Sequence, residues 1–290
     1  MKFRLIQQER RWYGIDALCQ VLGVTRGGYW SWVRRRPGPR RLADAVLLAD
    51  IRQIYKAQRQ VYGSPRIHDE LQKQGVRCGR KRVERLMSEN GIRAKQGKKY
   101  KPKTTDSRHN LPVAQNILNR QFARERPNEA WVTDITYIPT REGWLYLAAI
   151  MDLFSRRIVG WSMGSHIDRH LPLRALQMAV QNRRPRPGLI HHSDRGSQYA
   201  SGDYQTALKQ HGMVCSMSRK GNCWDNAPME SWFHTLKSEL IQDLTFNTRR
   251  EAIAGIFEYM EVFYNRQRIH SALDRLTPSE HEELFFRRGA

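Results

Sequence analysis

From residue 127 onward the chain carries three β-rich runs in succession and then alternates helix-like with strand-like segments. Few architectures accommodate that order. In the first run Trp131, Thr133, Ile135 and Tyr137 alternate with Val132, Asp134, Thr136 and Ile138, the two-residue period of a strand. Arg141-Glu142-Gly143 reads as a turn, and LYLAAIMDLF and RRIVGWSMG supply two further strands of an antiparallel meander. HLPLRALQMAVQNRR follows as a helix with Leu173, Leu176, Ala179 and Val180 on its apolar face. GLIHHSD is a short buried strand, DYQTALKQHG a helix, MVCSMS a strand and APMESWFHTLKSEL a helix. The order βββαβαβα predicts an α/β domain: a mixed five-stranded sheet covered by helices.

The first third of the chain differs. Residues 1–110 hold 27 Lys and Arg against 9 Asp and Glu, and the remainder holds 23 against 19. Most of the formal charge of +22 therefore sits in one region, which points to a polyanionic partner, DNA before a membrane surface. No basic amphipathic helix with an aromatic-rich apolar face supports the membrane alternative. Residues 15–34 read as two helices around Gly23, with Thr25 capping the second, an arrangement that suits a helix-turn-helix. Arg34, Arg35 and Arg36 follow it within RRRPGPRR, which reads as a Pro/Gly-punctuated linker. Residues 43–58 are helical in pattern. A second helix pair comes next, with Ser64 as N-cap, Pro65 at the first helical position and Gly75 ending the first member. Its second member opens with Arg80, Lys81 and Arg82, the end that meets DNA in such motifs. The expected organisation is 1–40 and 41–93 as two helical DNA-binding units, 94–126 as a basic linker, 127–245 as the α/β core and 246–290 as a helical extension.

Four cysteines form no C-x-x-C pair, no run of 18 apolar residues occurs, and the N-terminus has no apolar stretch of signal-peptide length. These features predict reduced thiols and a cytoplasmic location.

Three carboxylates stand out. Asp134 lies mid-strand among bulky apolar residues, where an unpaired charge is costly. Asp194 follows a strand at its carboxyl end, and Glu230 opens a helix. Fifty-nine residues separate the first two and thirty-five the last two. On one sheet edge such acids repel one another, and a divalent cation relieves the repulsion. Magnesium prefers oxygen ligands, and two ions roughly 3.5–4 Å apart stabilise both oxygens of a phosphodiester displacement. His191 and His192 raise the possibility of zinc, but hard oxygen donors dominate the set.

W-x-T-D-I-T-Y (Trp131 to Tyr137), H-S-D-R-G-S-Q-Y (His192 to Tyr199), K-G-N-C-W-D-N-A-x-x-E-S-x-F-x-x-L-K-x-E (Lys220 to Glu239) and Y-N-x-x-R-x-H-S-A-L (Tyr264 to Leu273) together resemble the transposases of the insertion-sequence-three family. The resemblance covers almost the whole chain. It implies an RNase H-like, retroviral-integrase-like core preceded by all-α helix-turn-helix regions. It also implies a DD(35)E triad in which Asp134, Asp194 and Glu230 hold Mg²⁺, replaceable by Mn²⁺ and bound as two ions. Lys237, two helical turns after Glu230 and on the same face, becomes a DNA contact. So do Arg195, Gln198, Arg219, Lys220 and Asn226, beside Arg80, Arg82, Arg34 and Arg35.

The implied chemistry frees a 3′-hydroxyl at the element's end and then transfers that strand to new DNA. The implied partners are the element's terminal repeats, target DNA, at least one further copy of the chain and the product of an upstream reading frame, since no sustained heptads occur here. Two other functions fit the composition: a non-enzymatic DNA-binding regulator, and a nuclease of similar fold that cuts without joining. Arg266, Arg268 and His270 in the last segment suit either DNA contact or packing.

Overall fold

The computed structural model describes residues 1–36, 38–95, 111–242 and 244–288. The middle of the expected basic linker, 96–110, lies outside the described residues.

Three helices open the chain: α1 (Lys2–Glu9), α2 (Ile15–Val21) and α3 (Arg26–Val33). The first was not expected from the sequence. It closes a small core by burying Ile6 against Cys19 and Tyr29. Gly23 takes a positive φ of 60° in the turn, and Thr25 accepts a hydrogen bond from the Gly28 N–H, the cap its side chain predicts. The helix α4 (Pro39–Ala57) begins inside the expected linker, because Pro39 is pre-organised for a first helical turn. Next come α5 (Ser64–Lys73) and α6 (Arg80–Glu89). Gly63 is the cap of α5 and Ser64 its first residue, one position from the expectation. Leu47, Ile51, Ile67, Leu71, Val83 and Leu86 bury the shared face of these three helices.

The sheet runs in the order β3-β2-β1-β4-β5: β1 (Ala130–Thr140), β2 (Gly143–Asp152), β3 (Ile158–Gly164), β4 (Ile190–Ser193) and β5 (Val214–Met217). The first three strands pair antiparallel, and β1–β4 and β4–β5 pair parallel, as the meander and the later alternation require. Its helices are α7 (His170–Arg183), α8 (Ser197–Ala200), α9 (Gly202–Gln210), α10 (Ala227–Leu236), α11 (Arg249–Glu258) and α12 (Pro278–Arg288). The period-two pattern of β1 divides two cores. Even positions Ala130, Val132 and Ile138 join the side packed by α10 and α11, while Trp131 joins the side packed by α7 and α9. The tightest approach is at Gly160 of β3, where a Cβ would lie 2.4 Å from the Ala175 carbonyl oxygen of α7.

Residues 111–126 belong against the core: Leu118 is buried, Ser216 Oγ accepts from the N–H groups of Ile117 and Leu118, and Asn116 and Arg120 bond Asp225. The 246–290 segment is likewise built in. It buries Ile256, Tyr259, Met260 and Phe263, and the Glu282 carboxylate of α12 receives Arg183, Arg157 and Ser155.

Candidate active site

The parallel pairing of β1 and β4 decides the site. Ala130 lies beside Ile190 and Val132 beside His192 in parallel register, so β1 and the loop after β4 carry Asp134 and Asp194 to the same end of the pair. Both line one cleft of about 250 Å³, with Ile135, Thr136, Tyr137, Ile167, Gly196, Ser197, Gln198 and Tyr199. Asp134 Oδ1 accepts the Ile135 N–H at 2.7 Å, and Asp194 Oδ1 accepts the Gly196 N–H at 2.9 Å. Gly196 admits this closeness, since a Cβ there would lie 3.0 Å from Asp194 Oδ1 and 3.1 Å from Gln198 Oε1. Beneath Asp134, Thr133 donates to the Ala149 carbonyl and meets the Tyr199 hydroxyl at 3.2 Å, which stiffens the strand.

Glu230 occupies the first turn of α10, the helix packed over the face of β1 that carries Asp134. It stands exposed, outside the lining of the cleft. Among the described residues no three His, Cys, Asp or Glu side chains stand close enough together to hold a metal ion. The structure thus brings the two aspartates together and leaves Glu230 at their margin. The electrostatics of the three acids differ. Burial, then the charges of Asp194 and Glu230, push the Asp134 carboxyl well above the usual carboxylate range, against the Ile135 N–H and Lys237. Burial also raises Glu230. The donors are all carboxylate oxygens, which fit a hard divalent cation rather than zinc.

Lys237 stands beside this cluster, its ammonium 4.9 Å from the centre of the Tyr137 ring. Burial lowers its pKa and Asp134 opposes that shift, a sign of their proximity. At Lys237 the helix widens into a π-turn, Lys237–Ile241, a distortion that often marks functional positions.

The remaining expected contacts separate. Arg195 donates to the Ser218 carbonyl at 2.6 Å, and Gln198 lines the cleft. Lys220, Arg80, Arg34 and Arg35 are exposed. Three expected contacts also have partners within the fold. Arg82 is half-buried and bonds Asp44 at 2.6 Å. Arg219 chelates Asp225 through Nε and Nη2, which, with Arg120, holds that buried carboxyl below its ordinary range. Asn226 is 4 % exposed and donates to the Thr133 carbonyl, so its amide braces β1 from beneath and is not part of a DNA-facing surface. Asp225 and Tyr199 were not singled out from the sequence, although both lie inside the quoted motifs. His191 and His192 are packing groups: burial pushes them down to about 3 and about 4, and they bond Tyr204, Ser216 and Ser218.

The C-terminal arginine–histidine motif also resolves toward packing. Arg268 is 5 % exposed and grips Glu239 through Nη2 at 2.7 Å and Nε at 2.9 Å. His270 adjoins it, and only Arg266 of the three is exposed.

Three families match in the same order as these parts: an HTH-like domain over residues 41–100, and an integrase core domain over 124–223 and again over 230–285. The transposase InsF of insertion sequence IS3A from Escherichia coli (strain K12) is 42 % identical, over 97 % of this chain and 98 % of its own length. The chain belongs to the IS3 family of transposases. A second relative, the uncharacterized 31 kDa protein of insertion element IS600 from Shigella sonnei, is 48 % identical over 94 % of this chain and all of its own. The HTLV-2 integrase catalytic core domain in complex with magnesium is similar over 54 % of this chain and 97 % of its own, with 16 % identity and a TM-score of 0.42. No described helix is long and apolar enough to cross a membrane.

Proposed function

We propose that this chain cuts and joins the DNA of an insertion sequence as a polynucleotidyl transferase, with Asp134, Asp194 and Glu230 as its acid triad. One observation carries the reading: the β1–β4 register sets two aspartates side by side in one cleft, under the helix that bears Glu230 and Lys237. Asp134 and Asp194 would hold the cation from the sheet rim, and Glu230 would complete the ligand set from α10. When bound, Mg²⁺ (or Mn²⁺), as a pair of ions, supplies Lewis-acid stabilisation to the attacking and leaving oxygens of a phosphodiester displacement.

The protein's own part is placement. The short backbone bonds to Asp134 and Asp194 fix both carboxylates before DNA arrives. Lys237 adds a positive charge beside them for a phosphate oxygen. Gln198 and Arg195 present amide and guanidinium groups at the β4 end of the cleft, with Lys220 on the loop before α10. Arg80, Arg34 and Arg35 extend the basic track onto the helical units. The first displacement releases a 3′-hydroxyl by hydrolysis at the element's end. The second uses that hydroxyl to exchange one phosphodiester for another, so no external energy source is needed. Two ends must meet, so the active complex contains at least two copies of the chain, with the product of an upstream frame as a further partner. Action on element DNA places the protein at the nucleoid, in the cytoplasm.

Asp134→Asn tests this. It should abolish Mg²⁺-dependent cleavage and joining of end DNA while duplex binding persists. Full activity in that variant refutes the triad, and cutting without joining in the wild type would favour a nuclease.

A further inference from the structure

A second cavity, of about 300 Å³, lies between α5 and the segment after Arg268, far along the chain from the acid triad. Gly63, Pro65, Arg66 and Asp69 line one wall, and Ile269, His270, Ser271 and Arg275 the other. These walls come from YGSPRI and RIHSAL, two motifs that the cleavage chemistry leaves unused.

Arg66 is the notable group. Its side chain is 29 % exposed, and no described residue accepts a hydrogen bond from it. Its nearest carboxylate, Glu239, is 3.9 Å away and already receives Arg268 and the Tyr259 hydroxyl. A guanidinium with five donors and no acceptor, part-way out of water, lacks what an oxyanion supplies. Arg275 stands on the opposite wall, and Ser271 is exposed at the mouth. Asp69 is the one carboxylate in the lining, and Arg275 pairs with it. Burial first, and then the charges of Arg268, Arg66 and Arg156, push the neighbouring His270 down to about 2.

We propose that this cavity seats a backbone phosphate of bound DNA, held by Arg66, Arg275 and Ser271. The proposal rests on the DNA-joining reading above and adds a contact remote from the triad. Its open mouth suits a phosphodiester on a duplex, and the seat bridges the HTH-like unit to the segment whose Arg268 anchors the end of the catalytic helix. DNA held here would fix the one relative to the other.

The experiment is fluorescence anisotropy of the full chain on an end duplex and on a scrambled duplex, across a sodium chloride series. Arg66→Gln and Ser271→Glu should each weaken binding to both duplexes alike. Each should also flatten the log–log salt slope by about one. Ser271 is exposed, so its variant leaves the packing intact while opposing a phosphate. Unchanged affinity and slope in Ser271→Glu overturn the proposal, whatever Arg66→Gln does, because the latter alone could act through Tyr62 packing. A parallel thermal-shift series compares inorganic phosphate with chloride at matched ionic strength. Phosphate stabilisation lost in Ser271→Glu, with unchanged DNA slopes, would assign the cavity to small phosphates and refute the DNA seat. A wild type that binds neither duplex would instead sink the functional reading itself.

Discussion

Replacing Arg268 with Met removes a charge from the clasp on Glu239 while keeping most of its apolar volume. Both partners are nearly out of water, with side chains 6 % and 8 % exposed. The carboxylate would keep the Tyr259 hydroxyl at 2.8 Å and a distant Arg66 at 3.9 Å. Breaking a buried pair by removing one partner costs about 3–5 kcal/mol, since it strands a charge in a poorly polarisable interior. Arg66 can swing toward the vacancy, which places the expected loss at the lower end, about 3 kcal/mol. At roughly 2–4 °C per kcal/mol for chains of this size, the melting temperature should fall by about 6–12 °C. Glu239→Gln should cost a similar amount by stranding Arg268. The double variant removes both charges and leaves an acceptor for Tyr259, so it should lie within about 1–2 kcal/mol of wild type. Urea denaturation followed by tryptophan fluorescence measures all four proteins. A double variant as unstable as the sum of the singles would refute the argument, because the stranded charge would then not be the cause.

Gly160→Ala should destabilise by about 1–3 kcal/mol through overpacking, as the new methyl would meet the Ala175 carbonyl oxygen and Ala179 Cβ at 2.4 and 2.6 Å; an unchanged urea midpoint would show that α7 moves aside freely. His191 and His270 are held at about 3 and about 2, largely by burial, so the unfolded chain takes up protons that the fold refuses. Their contribution to stability is complete above the unfolded value near 6.5. It drains away as pH falls below it, at up to about 1.4 kcal/mol per pH unit for each histidine. His191→Gln should flatten that slope by as much as one proton, and equal slopes in both proteins between pH 6 and 4.5 would contradict its neutrality. Mg²⁺ should stabilise the wild type and not Asp134→Asn, by about 2.7 kcal/mol at a hundredfold excess over the dissociation constant, read as a rise in melting temperature. Equal stabilisation of both proteins would move the ion elsewhere.

Much of this protein is written locally. The two-residue alternation through Val132 and Ile138, the cap at Thr25 and the glycine turn at Gly23 follow from neighbours a few positions apart, so order and type of element are legible in the chain. The spacing of Asp134, Asp194 and Glu230 was legible too, through the motifs that hold them. Only the tertiary structure decided what each charged side chain meets. From charge and motif alone Arg219 and Asn226 read as DNA contacts and Arg268 as either contact or packing; in the fold they bond Asp225, the Thr133 carbonyl and Glu239. Those partners are set by burial and by strand register, which act between residues remote in sequence. The same parallel pairing carries Asp134 and Asp194 into one cleft, while Glu230 stands outside its lining.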